Sequence, residues 1–287
     1  MDVLFYADAG EFLEDAHAFL AEDPLSFSVI LTNAEKFSRL DRPVDWPRWF
    51  ATVSDESGIR GVAMRTHPDP PHAGFAARMP TEAVQALAEA LAERNERVPS
   101  WNGDLDAARA LCTAVSEGQP VEIAMHTRLF EARKVNWPPR PNGSLRRAAE
   151  HDEDLVVTWM AAFHRDADEQ AGRAPAAHRT RSREEALSLL ASRDLWIWEV
   201  DGQPVHLTGV RRPTLGTSRI GPVYTPPEHR GQGYAAWTVA TIAGHVLDAG
   251  ARPCLYTDQA NPISNKIYER IGFEPDHDEA NFMVRAE

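Results

Sequence analysis

Cysteine is scarce. Only Cys112 and Cys254 occur in 287 residues, far apart and each inside an apolar segment, so they read as two buried thiols rather than a disulfide framework. Ligand spacing is missing too: the 11 His residues form no His-Glu-x-x-His motif and no Cys/His cluster, so no metal is expected. No apolar run is long enough to cross a bilayer, and Met1 to Asp8 lacks the basic region and apolar core of a signal peptide. A cytoplasmic protein without a membrane partner is expected. Positive charge is in deficit, with 30 Lys and Arg against 43 Asp and Glu and a net charge of -13. That balance repels nucleic acid and anionic lipid unless a local basic patch overrides it, and it favours cationic partners, amines among them.

What is present is ordinary for a globular chain: 43% hydrophobic and 25% charged residues. The length fits two domains of about 140 residues. Between Val135 and Ser144, Pro138, Pro139, Pro141 and Gly143 break helix and strand alike, so this stretch reads as a linker separating residues 1–138 from 144–287.

After it, Leu145–Ala148 reads as a strand, and Asp154–Phe163 as a helix with Leu155, Trp159 and Phe163 at four-residue spacing. A second helix covers Glu184–Ala191. Asp194–Val200 and Pro204–Val210 form an antiparallel pair around the turn dipeptide Asp201-Gly202. Strand Arg219–Thr225 precedes a helix that ends near Asp248 before Gly250, and strand Pro253–Thr257 follows. Asn261 and Pro262 then supply a cap and a first-turn proline, and Gly272 a stop. In that helix Ile263, Ile267 and Ile271 are expected on one face, and Asn261, Ser264, Asn265 and Tyr268 on another.

The first half repeats the order. Strands are expected at Trp49–Val53, Gly58–Thr66 and Ala73–Ala76, then helix Glu82–Arg94, strand Val98–Trp101, helix Asp106–Glu117 and strand Val121–Ala132. A duplicated fold is expected. The segment Gly74–Thr81 before the first-half helix has no closely spaced glycine pair, so the first copy reads as inactive.

The chemistry concentrates at His229-Arg230-Gly231-Gln232-Gly233-Tyr234-Ala235. Two glycines free to take positive φ let backbone N–H groups converge on an anion at a helix start, and Arg230 adds charge-assisted hydrogen bonds. This is a phosphate cradle. A P-loop needs Gly-Lys-Ser/Thr, and Tyr234 follows Gly233. Gly231-x-Gly233-x-x-Ala236 also has the form of a dinucleotide fingerprint, with Asp258 about 20 residues on. Against that reading, Pro226 and Pro227 force an irregular stretch before the turn, and too little chain follows for a doubly wound sheet.

The run Val223-Tyr224-Thr225-Pro226-Pro227-Glu228-His229-Arg230-Gly231-Gln232-Gly233-Tyr234-Ala235 resembles the acyl-CoA signature of the GNAT superfamily of N-acetyltransferases, Arg/Gln-x-x-Gly-x-Gly/Ala. Asn261 to Phe273 resembles the same family's Asn-x-x-Ser/Ala-x-x-x-Tyr-x-x-x-Gly-Phe segment. Close resemblance covers about residues 144–287, and the element order before residue 140 is similar to tandem members. The resemblance implies an α+β fold of two GNAT-like modules, each a mixed, mostly antiparallel sheet flanked by helices, with a degenerate module at 1–138 and a catalytic one at 144–287.

The resemblance also implies acetyl-CoA as co-substrate and a primary amine of a small molecule or peptide as acceptor. Backbone at Val223, Tyr224 and Thr225 would hold the pantetheine arm and polarise the thioester. Arg230, Gly231, Gln232, Gly233, Tyr234 and Ala235 would hold the pyrophosphate, Asn261 or Asn265 would touch the cofactor, and Tyr268 would protonate the departing thiolate. Strand Arg219–Thr225 carries no carboxylate, leaving Glu199, His206, Glu228 and Asp258 as candidate bases. That gap motivates an alternative, a non-catalytic acyl-CoA-binding regulatory protein.

Overall fold

The computed structural model describes residues 1–40, 45–68, 72–170 and 179–285. By contacts the chain forms two units, Met1–Thr127 with Asp278–Glu287, and Arg128–His277.

The first unit holds β1 Asp2–Tyr6, α1 Ala9–Leu20, α2 Ser28–Ser38, β2 Trp49–Asp55, β3 Gly58–Arg65, β4 Gly74–Ala76, α3 Thr81–Glu93, β5 Ser100–Asp104, α4 Leu105–Ala114 and the first part of β6 Val121–Ala132. Its strands run in the order β1, β2, β3, β4, β5, followed by the last part of β12 Phe273–Val284. The β4–β5 pair is parallel, with α3 as the crossover, and Glu279–Met283 of β12 pairs antiparallel with β5. The core packs Trp49, Ala63, Val84, Leu87, Trp101, Leu111 and Phe282.

The second unit holds β7 Ser144–Arg147, a 3-10 turn Glu150–Asp152, α5 Glu153–Gln170, α6 Arg179–Ala191, β8 Leu195–Val200, β9 Gln203–Val210, β10 Thr217–Tyr224, α7 Tyr234–Asp248, β11 Arg252–Asp258 and α8 Pro262–Arg270. Its strand order is β6, β11, β10, β9, β8, β7. Here β10–β11 is the parallel pair and α7 the crossover, the same arrangement as β4, α3 and β5. A mixed, mostly antiparallel sheet flanked by helices therefore occurs twice.

Side chains alternate across β8 as a period of two requires. Leu195 and Ile197 join Val156, Met160 and Leu189 under α5 and α6, while Trp196 packs against the separate cluster that holds Val239, Ile242 and Ala243 of α7. Asp201 and Gly202, at φ 51° and 73°, close the β8–β9 hairpin as the dipeptide predicts. Gly250 at φ 76° ends α7, with Ala251 N donating to Val246 O.

Three features differ from the sequence expectation. The stretch Val135–Ser144 lies within the second unit, where Asn136 N donates to Ile271 O and Trp137 packs on Trp237 at 5.5 Å. Ile263 is 68% exposed rather than inward. It sits in the first turn of α8. Tyr268 instead turns to the core beside Ile267 and Ile271, because a phenol ring buries more apolar surface than the two-face pattern allowed. Cys112 and Cys254 are both free and buried.

Candidate active site

Strands β10 and β11 start side by side and then part. Thr217–Arg219 pairs with Arg252–Cys254, yet β10 runs on to Tyr224 and β11 to Asp258. On its other edge β10 pairs with β9, through a register shift between Ile220 and Val223 that ends in Val223↔Thr208 and Tyr224↔Leu207. The β11-facing edge of Val223–Tyr224 is thus released from the ladder, which leaves backbone polar groups for an extended ligand.

Pro226 and Pro227 end β10, since neither can donate to a ladder, and a 3-10 turn Pro227–His229 leads into the glycines. Gly231 and Gly233 have φ of 79° and 84°, and a Cβ at either would meet no atom within 4 Å. Free space there leaves backbone accessible from outside. Gly233 is the N-cap of α7 with no side-chain cap, and Trp237 N is the first amide bonded back to it, at 3.0 Å. By helix geometry the preceding amides of Tyr234, Ala235 and Ala236 have no acceptor within the helix. They add to a helix-end field worth roughly half an elementary charge. Gly231, Gln232 and Gly233 are exposed and Tyr234 and Ala235 half-buried, so an anion can reach them. This geometry fits a pyrophosphate.

Arg230 is fixed rather than loose. Its Nε donates to Thr225 O at 3.0 Å and its Nη2 to Asp166 Oδ2 at 2.6 Å, with 40% of the side chain still exposed. The Tyr224 hydroxyl donates to the same oxygen at 3.3 Å, and burial, reinforced by Asp166, pushes that phenol up to about 12. Asp166 was missed. Its signal was helical spacing: Trp159, Phe163 and Asp166 share one face of α5, and both rings pack edge-on to Tyr224, so a carboxylate three residues past an apolar row had to be buried.

Tyr268 is 7% exposed and shares a core cluster with Ile220 and Leu255, the first residues beyond the last β10–β11 pair. Burial raises its pKa well above the ordinary phenol value. Asn261 caps α8 by accepting from Ser264 N at 3.2 Å, and Asn265 Oδ1 is hydrogen-bonded to the Thr257 hydroxyl of β11.

The candidate bases separate. His206 is fully buried, bonded through Nδ1 to Thr225 Oγ1 at 2.8 Å and through Nε2 to Thr208 Oγ1 at 2.6 Å. Desolvation lowers it to about 3, so it is neutral and enclosed. Glu199 accepts from Arg146 Nε at 2.7 Å. Glu228 lies exposed in the 3-10 turn, and Asp258 Oδ1 accepts from Ala260 N at 2.9 Å. Among the described residues no group of three His, Cys, Asp or Glu is placed to hold a metal, and no helix is long and apolar enough to cross a membrane.

Structures with the same fold exist at low identity. A GNAT-family acetyltransferase from Colwellia psychrerythraea aligns with TM-score 0.56 and 12% identity over 99% of this chain and 100% of that one. A GCN5-related N-acetyltransferase from Sphaerobacter thermophilus aligns with TM-score 0.59 and 16% identity over 99% and 96%. A tandem GNAT protein from the clavulanic acid biosynthesis pathway aligns with TM-score 0.58 and 13% identity over all of both chains. The chain has a tandem GNAT-type fold. Within it, residues 204–282 match the family model described as FR47-like protein, a span that holds β10, the glycine turn and α8. No curated relative matches the sequence.

Proposed function

We propose that the chain is an acyl-CoA-dependent N-acetyltransferase whose second unit moves the acetyl group of acetyl-CoA onto a primary amine of a small molecule or peptide by direct attack. The observation that carries this reading is the left-handed turn Gly231–Gly233, opening α7 beside the place where β10 leaves β11. Acetyl-CoA supplies the activated acyl group. The amides from Gly231 to Ala235 and the α7 dipole hold the pyrophosphate, and the exposed side of Arg230 adds charge. Freed backbone at Val223–Thr225 takes the pantetheine arm and stabilises negative charge growing on the acyl oxygen. Asn265, with Oδ1 held by Thr257, presents its amide nitrogen toward the cofactor, and Asn261 contributes beside it while capping α8.

Tyr268 stays protonated at neutral pH because burial disfavours its phenolate, and its hydroxyl donates toward the sulfur as the thiol leaves. His206 is set aside as base by its burial and low pKa. Glu228 and Asp258 are the carboxylates left to take the amine proton through water. The acceptor arrives as an ammonium, drawn by the net charge of -13, and gives up a proton to become the neutral amine that attacks. Pro80 opens α3 without a glycine pair, which supports a non-catalytic first unit.

Release of free thiol from acetyl-CoA across a panel of amines tests the reading. Wild-type turnover with at least one amine, lowered about 10²-fold in kcat by Tyr268→Phe, is the expected result. Acetyl-CoA binding without thiol release on any amine, and with Tyr268→Phe indistinguishable, would favour the non-catalytic binder.

A further inference from the structure

At the other end of α7 the charge of the molecule reverses. Strands β7 to β10, the loops beside them and the last turns of α7 line an open pocket of ≈ 620 Å³ whose lining includes Arg147, Arg193, Arg211 and Arg212 against one carboxylate, Asp194. Its apolar wall is Trp196, Val210, Ile242 and Val246. From Tyr234 to His245 the helix advances roughly 16 Å at about 1.5 Å per residue, so this cavity is remote from the glycine turn.

Compensation of the four guanidiniums is incomplete. Arg212 Nε reaches Asp194 only at 4.0 Å, and Arg211 Nη2 reaches Glu185, outside the lining, at 3.4 Å. Burial, with Arg219 beside it, lowers the pKa of Arg211, so its charge is held under strain. Arg193 stands exposed at φ 58°, a conformation unfavourable for a side-chain-bearing residue, and its guanidinium meets no carboxylate among the described residues. Arg147 lies 4.4 Å over the Trp196 ring, and His245 approaches the same ring at 6.2 Å. The Trp196 indole N–H is buried without a hydrogen-bond partner among the described residues. Like charges gathered over an apolar wall, with an unanswered buried donor, are unfavourable until an anion enters.

We propose that this cavity is a second binding site, for a small anion with a planar apolar body, such as an aryl carboxylate or aryl phosphate. The anionic head meets Arg193 and Arg212, and the body lies along Trp196 and Ile242, next to the indole donor. A volume of ≈ 620 Å³ is of the size that takes a small molecule. This site does not depend on the acyl-transfer reading.

The test titrates the full-length, 15N-labelled chain with phenylacetate and phenyl phosphate, with benzylamine as the charge-reversed control, following the Trp196 indole N–H assigned through Trp196→Phe. Saturable movement of that signal by either anion and not by benzylamine is expected. Arg193→Glu with Arg212→Glu, both exposed, should weaken binding at least 10-fold, and Arg193→Ala alone by a smaller factor, with acetyl-CoA affinity unchanged. The proposal is overturned if neither anion moves the indole, if benzylamine moves it equally, if the charge-reversed variant binds as tightly, or if a DNA duplex is bound in preference to both. Loss of acetyl-CoA binding in wild type would sink the acyl-transfer reading and leave this one standing.

Discussion

At Gly233 and Tyr268, single atoms separate structure from function. A Cβ at Gly233 meets no neighbour within 4 Å, so Gly233→Ala suffers only the strain of φ 84°, about 1–2 kcal/mol. The added methyl nevertheless stands where a pyrophosphate would sit. Acetyl-CoA affinity is expected to fall by a larger factor than the stability loss explains, measured by calorimetric titration beside chemical denaturation. Tyr268→Phe offers the opposite contrast. Burial alone raises the pKa of this phenol, so removing the hydroxyl from an apolar cluster should leave the melting temperature unchanged or slightly raised. A large loss of stability would show that the hydroxyl has a structural bond instead. The turn at Gly233 was legible in the sequence because glycine spacing is a local pattern, whereas the burial of Tyr268 ran against the face its spacing suggested.

Among the elements, local signals marked the second unit well. The Asp201-Gly202 hairpin, the Gly250 stop and the Asn261 cap each lie where turn and cap chemistry place them. Helices α1 and α2 and strand β1 went unread, although Asp8 caps α1 by accepting from Gly10 N and Glu11 N at 2.7 and 3.1 Å. Five-residue β1 is too short for its alternation to stand out. Asp166 went unread because its meaning lies in two other elements: it joins α5 to Tyr224 of β10 and to Arg230 before α7. Asp166→Ala removes the shared acceptor of both donors, and denaturant unfolding should show a loss of about 1–3 kcal/mol. A loss below the error of the measurement would mean that water replaces the carboxylate freely. The separation of β10 from β11 went unread in the residues themselves, since divergence of two strands leaves no residue pattern.

For the molecule as a whole, each unit completes its sheet with a strand from the other half of the sequence. Arg128–Ala132 of β6 belongs to the second unit, and Asp278–Val284 of β12 to the first. No composition shift marks such an exchange, whereas a proline cluster is conspicuous, so the sequence pointed to 138–144 as the division. Phe282, 1% exposed, lies in the core of the first unit although in sequence it comes five positions before Glu287. Phe282→Ala should cost about 3–5 kcal/mol and melt the first unit ahead of the second. Simultaneous, unshifted melting would contradict the exchange.

Global stability should also carry the signature of His206. Its folded pKa, about 3, lies below the ordinary 6.5, so between these values the unfolded chain binds the extra proton. Stability is therefore complete above pH 6.5 and falls as pH drops toward 3, by roughly 1.4 kcal/mol per pH unit. The carboxylates of Glu131 and Asp152, held low chiefly by Arg252 and Arg146, add a further loss in acid. His206→Gln should flatten the slope between pH 6.5 and 5, and an unchanged slope would show that His206 is not buried neutral.

The central claim is that the turn from Arg230 to Ala235 grips the pyrophosphate of an acyl-coenzyme A. Calorimetric titration of the full chain with acetyl-CoA and with S-acetylpantetheine, which has the same thioester and arm but no pyrophosphate, tests it most directly. Acetyl-CoA should bind at least about 100-fold more tightly, a difference of about 2.7 kcal/mol, and Gly231→Val with Gly233→Val should erase the advantage. Equal affinity for the two ligands, or an advantage that survives both substitutions, would contradict the account.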